Sequence, residues 1–513
     1  MICALITGPT FEVAYQQMAK ALLSADLVEL RLDCFVLGDL TELALLRSHF
    51  SIPMIFTLRS QLHGGSYRES EEKRIADIRR LLALKPEYID LEEDISPLLL
   101  EEIITGHTDI KLILSYHHFQ ETPKNLEAIY QKMQRIPAYF YKIAVMAKNS
   151  LDTLRLLSWA KESERKVIAI SMGGYGQISR ILAPMIGSPI TYALLEEDPS
   201  SPLGQLSVNR LKIQYHYYSL TPYTSLYALI GDPIGLSISD KSHNSFIRAY
   251  GLEALYIKIE VKIEELFEFL QLAKGIFHGM SVTMPLKESI LPFLDKIDSQ
   301  ALKVGAVNTI LFKQGEVCGF NTDGIGALNV IEKGYSVKGK RLVIIGAGGA
   351  SRAIAYEAHK RGAHVTLLNR NIEKAEEVAR PLRGVGKGIG YMESCFKTGY
   401  DILINATSHT LPIEEGYILP QAIVMDLRTY PKESLFLKAA REKGCRIIYG
   451  YQMFIEQALG QFNLWFKNRF DHQEARKILE ESFQQRELDR ERDQEEYTLG
   501  SQRDHLPLIS LQQ

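Results

Sequence analysis

The chain has 513 residues, room for two to four domains at roughly 100–200 residues each. Lys and Arg total 59 and Asp and Glu 62, a net charge of −3, which argues against nucleic acid or an anionic membrane as the main partner. No apolar run reaches the roughly 18 residues that span a bilayer, Met1 leads straight into a strand-like run with no room for a signal or transit peptide, and the five scattered cysteines fit reduced thiols, so a cytoplasmic protein is expected.

Eight short apolar runs recur through the first half, at 2–8, 27–33, 53–60, 88–92, 111–117, 140–146, 166–173 and 190–196. Amphipathic stretches such as 71–84 and 151–162 separate them. Strands alternating with helices pair in parallel, and eight such units in about 220 residues predict a closed (β/α)8 barrel. An open doubly wound sheet is the alternative.

Side chains alternate faces along a strand. In the second run Val28, Leu30 and Leu32 share one face and Glu29, Arg31 and Asp33 the other. In the same way Thr57 pairs with Arg59, Ser115 with His117, and Lys142 with Ala144. Charged groups are seldom buried without a partner or a purpose, so several strands aim polar groups at one barrel mouth, where such folds place their chemistry. A lysine there, kept neutral by desolvation and neighbouring cations, can attack a carbonyl to form a Schiff base. A nearby histidine can take the adjacent proton, and arginines can fork onto a substrate carboxylate. These residues point to a Schiff-base lyase or aldolase acting on an anionic oxo-compound.

The same residues carry a resemblance. Glu29-Leu30-Arg31-Leu32-Asp33, Phe56-Thr57-Leu58-Arg59-Ser60 with Gly64-Gly65, Ser115-Tyr116-His117, Lys142-Ile143-Ala144, Ile178-Ser179-Arg180 and Ser201-Pro202-Leu203-Gly204-Gln205 follow in order across 1–218. This region resembles type I 3-dehydroquinate dehydratase. The resemblance implies that Lys142 forms the Schiff base and that His117 removes the C2 proton and returns it to the departing C1 hydroxyl. It also implies that Glu29, Arg31, Arg59, Arg180, Ser201 and Gln205 hold the carboxylate and hydroxyls. His118 is the rival base, but its parity turns it away from the interior. One departure stands out: His63 occupies the place of the family's Glu before the paired glycines.

The stretch 219–225, with Pro222, reads as a linker. A new α/β pattern runs from there to about 470, and 341–352 within it reads as a strand, a glycine turn and a helix. Gly346, Ala347, Gly348, Gly349 and Ala350 let backbone approach a pyrophosphate seated on a helix N-terminus, although Ser351 takes the sixth position where Gly or Ala is usual. The next strand, 364–368, ends in Asn369 and Arg370 in place of an acidic residue. Arg370 suits a 2′-phosphate, which selects NADP over NAD.

Other segments complete a second resemblance, to shikimate dehydrogenase, across 225–470. They are the loop 231–239 with Ser237 and Ser239, Ser281-Val282-Thr283-Met284-Pro285-Leu286-Lys287, 305–309 with Asn308, 319–324 with Asp323, 404–408, and 450–458 with Gly450 and Gln457. The resemblance implies that Lys287 and Asp323 are the catalytic pair and that NADPH reduces the C3 ketone of 3-dehydroshikimate. Ser237 and Ser239 would bind the carboxylate, Thr283, Asn308, Asp323 and Gln457 the ring hydroxyls. Gly346–350, Asn369, Arg370 and Gly450 would line the cofactor site. Ser281 and Leu286 depart from the usual Asn and aromatic.

The expected organisation is a barrel at 1–218, a linker at 219–225, a substrate lobe at 226–325, a Rossmann lobe at 326–450, a returning helix at 451–470 and a charged tail at 471–513, a frayed, solvated helix giving way to disorder. The product of the first reaction is the substrate of the second, and the order resembles bifunctional enzymes of the shikimate pathway. The expected partners are these small molecules and NADP(H), with no metal, nucleic acid or membrane. A catalytically dead lobe acting as a scaffold, or a second lobe oxidising quinate with NAD, are the alternatives.

Overall fold

The computed structural model describes residues 1–35, 40–163, 166–196, 204–235, 237–467 and 469–485. Ser201 and the stretch 486–513 of the charged tail lie outside the described residues. The chain divides into two compact units, Met1–Ser225 with Glu253–Ala273, and Leu226–Leu252 with the residues from Lys274 onward. No described helix is long and apolar enough to cross a membrane.

All eight expected strands form in the first unit: β1 Ile2–Ile6, β2 Leu27–Arg31, β3 Met54–Thr57, β4 Tyr88–Glu92, β5 Lys111–His118, β6 Phe140–Met146, β7 Val167–Met172 and β8 Thr191–Ala193. They make one sheet in the order β7-β6-β5-β4-β3-β2-β1-β8, each neighbouring pair parallel, the nearly closed α/β barrel that the alternation predicts. Cys3, Leu27, Ile55, Tyr88, Ile113, Ala144, Ile168 and Tyr192, one from each strand, meet in a single buried cluster. The ring is therefore filled by side chains in layers, as barrels of this size are. The polar residues of the same parity continue that interior toward the C-terminal ends of the strands.

The second unit holds a mixed sheet and a parallel one. β10 (Ala254–Glu260) falls in the first unit; in the second, β9 (Ser225–Gly231) is followed by β11 (Gly279–Val282), β12 (Lys296–Ile297), β13 (Thr309–Lys313) and β14 (Glu316–Phe320). β9 and β11 run parallel, while β11, β13 and β14 pair antiparallel in succession. Six further strands, β15 (Arg341–Ile345), β16 (His364–Asn369), β17 (Val385–Gly388), β18 (Ile402–Asn405), β19 (Ile423–Asp426) and β20 (Arg446–Ile448), stack as β17-β16-β15-β18-β19-β20, all parallel. Counted within this lobe the order is 3-2-1-4-5-6, the doubly wound arrangement with its crevice between the first and fourth strands.

The helix Gly450–Phe466 returns from β20 and packs on the helix Asp323–Ile331. Two glycines permit that approach: a Cβ on Gly326 would stand 2.7 Å from the Gln457 backbone nitrogen, and one on Gly460 2.9 Å from Thr322. Residues 472–485, part of the expected tail, form a further helix. Ala475, Leu479 and Phe483, four apart, are buried along it, and Phe483 meets the rings of Tyr451 and Phe454. That spacing puts one apolar face against the returning helix in spite of the surrounding charge.

Candidate active sites

Inside the barrel, Lys142 sits at the centre of β6 with its side chain 6% exposed. Its Nζ donates to Asp90 Oδ2 at 2.9 Å, lies 3.6 Å from Glu29 Oε1 and rests 4.1 Å from the centre of the Tyr192 ring. Arg59, two residues beyond β3, donates to Asp90 Oδ1 at 2.8 Å and to Ser115 Oγ at 3.0 Å, and pairs with Glu92 at 3.1 Å. Arg74 enters from the helix Glu71–Leu82 and bonds the other Glu92 oxygen at 2.9 Å. Glu29 accepts from Thr57 at 2.8 Å. The parity argument thus brings Glu29, Thr57, Arg59, Ser115 and Lys142 together. It did not reach Asp90, Glu92 or Arg74, although Asp90 and Glu92 share β4 at the spacing that exposed Glu29 and Arg31.

His117 lies two residues past Ser115 on β5, where it pairs in register with Ala144. Its Nδ1 is buried and makes no hydrogen bond. Burial, then the positive charges of Arg59 and Lys142, hold its pKa well below the usual histidine value, against a smaller opposing effect of Asp90. A neutral imidazole is the form a general base needs. His118 accepts the backbone N–H of Glu121 at 3.2 Å, so it is occupied in loop structure as its parity implies. His63 Nε2 stands 3.0 Å from Asp94, and a positive charge there would oppose protonation of His117.

Burial works against the charge of Asp90, but the positive charges of Arg59 and Lys142 and the Ser115 hydrogen bond hold its carboxyl far below the ordinary range. Arg180 is 3% exposed, and burial draws it down to about 10. It donates to the Ser171 carbonyl at 2.8 Å at the end of β7. Arg31 forks onto Asp33 at 3.0 and 2.8 Å and is only partly buried. Gln205 follows Gly204, whose positive φ of 61° turns the chain beside Gly173 after β7.

In the second unit Lys287 Nζ donates to Asp323 Oδ2 at 2.5 Å. Asn308 Nδ2 lies 2.8 Å from the other Asp323 oxygen, 2.9 Å from Thr322 Oγ1 and 3.2 Å from Gln457 Oε1. Five residues from four separate stretches of the chain therefore form one polar cluster. Asp232 N–H bonds the Met284 carbonyl at 3.1 Å, so the loop bearing Ser237 and Ser239 adjoins the one bearing Thr283 and Lys287. The two serine hydroxyls are 2.8 Å apart. Ser281, in place of the usual Asn, donates to Gln461 at 2.8 Å, and Gln461 in turn donates to the Asn308 carbonyl at 3.0 Å. Sequence reading missed Gln461, though it lies one helical turn beyond Gln457 and so on the same face.

The glycine turn after β15 fits a dinucleotide phosphate. Gly346 has φ +113°, a conformation that favours glycine, and its Cβ would press on the Ala406 carbonyl at 3.0 Å. Space beside Gly348 is open, and the helix Gly349–Lys360 begins there with Ser351 Oγ buried and without a hydrogen bond. Gly349 has a further role, since a Cβ on it would stand 2.9 Å from Lys287 Cβ. At the end of neighbouring β16, Arg370 is exposed and Asn369 donates to the Asn371 carbonyl. Gly450 opens the returning helix against the backbone of Leu427 and Arg428, after β19.

Known proteins share both halves. The type I 3-dehydroquinase profile matches residues 2–222, the shikimate dehydrogenase substrate binding domain 229–310, and shikimate / quinate 5-dehydrogenase 329–429. The "Shikimate biosynthesis protein AroDE" of Chlamydia pneumoniae is 36% identical over 474 residues, covering 91% of this chain and 95% of that one. The chloroplastic bifunctional 3-dehydroquinate dehydratase/shikimate dehydrogenase of Arabidopsis thaliana is 31% identical over 494 residues, 91% of this chain and 82% of its own. A shikimate dehydrogenase (NADP(+)) from Pyrococcus furiosus is 36% identical over 261 residues, half of this chain and 95% of its own. With one barrel bearing a buried lysine and one two-lobed reductase bearing a lysine–aspartate pair, the chain belongs to the family of bifunctional 3-dehydroquinate dehydratase/shikimate dehydrogenases.

Proposed function

We propose that Lys142 and His117 perform the dehydration and that Lys287 with Asp323 performs the reduction. In the barrel the Lys142 amine adds to the C3 ketone of 3-dehydroquinate and expels water, giving an iminium. The iminium draws electrons from the C2–H bond, His117 takes that proton, and the same proton leaves with the C1 hydroxyl as a second water. Water then cleaves the iminium and frees 3-dehydroshikimate. Glu29, Arg31, Arg59, Arg180, Ser201 and Gln205 hold the carboxylate and hydroxyls. The observation that carries this half is a buried lysine nitrogen in the same barrel interior as a neutral imidazole.

In the second unit Ser237 and Ser239 bind the carboxylate of 3-dehydroshikimate, and Thr283, Asn308, Asp323 and Gln457 take its ring hydroxyls. Lys287, held by Asp323 at 2.5 Å, protonates the alkoxide as it develops. NADPH, when bound, supplies the hydride. Gly346, Ala347, Gly348, Gly349 and Ala350 cradle its pyrophosphate, with Asn369, Arg370 and Gly450 alongside. The exposed Arg370 and the Pyrococcus relative named for NADP(+) support NADP(H) over NAD.

The test supplies the full chain with 3-dehydroquinate alone and then adds NADPH. Growth of the enone ultraviolet absorbance, followed by NADPH loss, is the expected result. Absence of the enone, with NADPH still oxidised on addition of 3-dehydroshikimate, would overturn the barrel half. Faster turnover of quinate with NAD than of shikimate with NADP would overturn the cofactor and substrate assignment.

A further inference from the structure

We infer that Asp90 is the positioning residue of the dehydratase half, fixing Lys142 in the barrel interior and supplying the anion that faces the lysine nitrogen before and after it joins the substrate. The inference rests on Lys142 being the Schiff-base residue.

Asp90 is 2% exposed on β4, and both its oxygens are engaged. Oδ2 accepts from Lys142 at 2.9 Å, while Oδ1 takes Ser115 Oγ at 2.6 Å and Arg59 Nη2 at 2.8 Å. Glu29 is the other carboxylate beside Lys142, but it stands farther off, at 3.6 Å, and accepts from Thr57. The remaining titratable neighbours of the lysine are Cys3 of β1, Arg59 beyond β3, His117 of β5 and Tyr192 of β8. Among these groups Asp90 alone joins the lysine nitrogen by a direct charged hydrogen bond.

The nitrogen is positive twice in the reaction, as the resting ammonium and as the iminium, and neutral only while it attacks. Counted from the ammonium, one R–NH3⁺ and one ketone give an iminium and one water with no further proton, so the nitrogen is positive at both ends of that step and neutral only during attack. A fixed anion at 2.9 Å matches both charged states. The cations around Asp90 keep it ionised, so it does not itself carry the proton that His117 moves. Loss of this charge therefore spares nucleophilic attack, which needs the neutral amine. It weakens the iminium, whose charge draws the C2–H electrons.

The experiment uses the full chain and its Asp90→Asn and Asp90→Glu variants. Each is incubated with 3-dehydroquinate and borohydride, and the adduct at Lys142 is quantified by peptide mass. Turnover is read separately by enone absorbance, and folding by thermal melting. Asp90→Asn is expected to keep the adduct within about threefold while turnover falls about 100-fold. Asp90→Glu, which restores the charge, is expected to recover at least about a tenth of wild-type turnover. Turnover within threefold of wild type in Asp90→Asn would overturn the inference. So would a parallel loss of adduct and turnover in a variant that melts like wild type and is not rescued by Glu. If Asp90→Asn does not fold, Asp90→Glu decides: adduct with partial turnover supports the role, and loss of the adduct refutes it. A wild-type chain that forms no adduct at Lys142 would instead bring down the Schiff-base reading, and this inference with it.

Discussion

His63 stands where the resemblance to type I 3-dehydroquinate dehydratase implies a Glu, and its ring is tied to Asp94 at 3.0 Å. Its positive form lowers the proton affinity of His117, whereas a carboxylate at the same place would raise it. A base must be neutral to act, so activity is lost as pH falls through its pKa. His63→Glu is therefore expected to move the acid limb of the dehydratase pH–rate profile to higher pH, and superimposable profiles would dismiss the coupling. Substitution at the groups proposed to react should divide the two activities. His117→Ala should cost the dehydratase roughly 10²–10⁴-fold, and Lys287→Met should cost the reductase by a similar factor, each leaving the other activity within about twofold. Separate assays on 3-dehydroquinate and 3-dehydroshikimate check both. Lys142 and His117 were legible in the sequence because alternation along a strand fixes which residues face inward. Arg74 was not, since an arginine on an amphipathic helix ordinarily faces solvent and only the tertiary packing turns it onto Glu92.

Each strand of the barrel is legible to within a few residues, because β-branched and aliphatic runs between helices leave little choice of element. The polar content of β4 was equally available from Tyr88, Asp90 and Glu92 on one parity, and went unread because no motif marks it. In the reductase the glycine turn works on two sides. Its open face is the one proposed to receive phosphate, and its closed face, at Gly349, lets the turn come against Lys287. Gly349→Ala adds a methyl that must displace the lysine stem, so the reductase kcat should fall about 10–100-fold with the dehydratase unchanged. Steady-state kinetics on both substrates would show it. A solvated helix was legible at the start of the tail, but its packing was not, since three apolar residues among so many ionised ones give a weak periodic signal. Phe483→Ala should destabilise the second unit by about 3 kcal/mol, measured by urea unfolding.

At the scale of the whole molecule, the second unit contains an acid-sensitive group apart from the chemistry. His243 is buried against Phe462 and Phe454, and burial draws its pKa down to about 3 despite bonds involving Gln461 and the Ser239 backbone. The unfolded imidazole takes up a proton near pH 6.5, and the folded one only near pH 3. This contribution to stability is therefore complete above pH 6.5 and is lost progressively as pH falls toward 3. From pH 7 to 5 the loss is about 2 kcal/mol. The chain has two tryptophans, so in a Trp159→Phe background the fluorescence of Trp465 alone follows this unit through urea unfolding. The same slope persisting in His243→Asn would place the acid sensitivity elsewhere. The two activities differ, too, in how their charges meet the solvent. Arg59 and Arg180 are 4% and 3% exposed, whereas Arg370 is open to water. Dissolved ions screen exposed charges over about 10 Å at 0.1 M and reach interior ones far less. Added salt should then loosen the cofactor's grip while the dehydratase holds its substrate, so that ionic strength alone, with no mutation, would throttle the second step of the chain and let its intermediate accumulate.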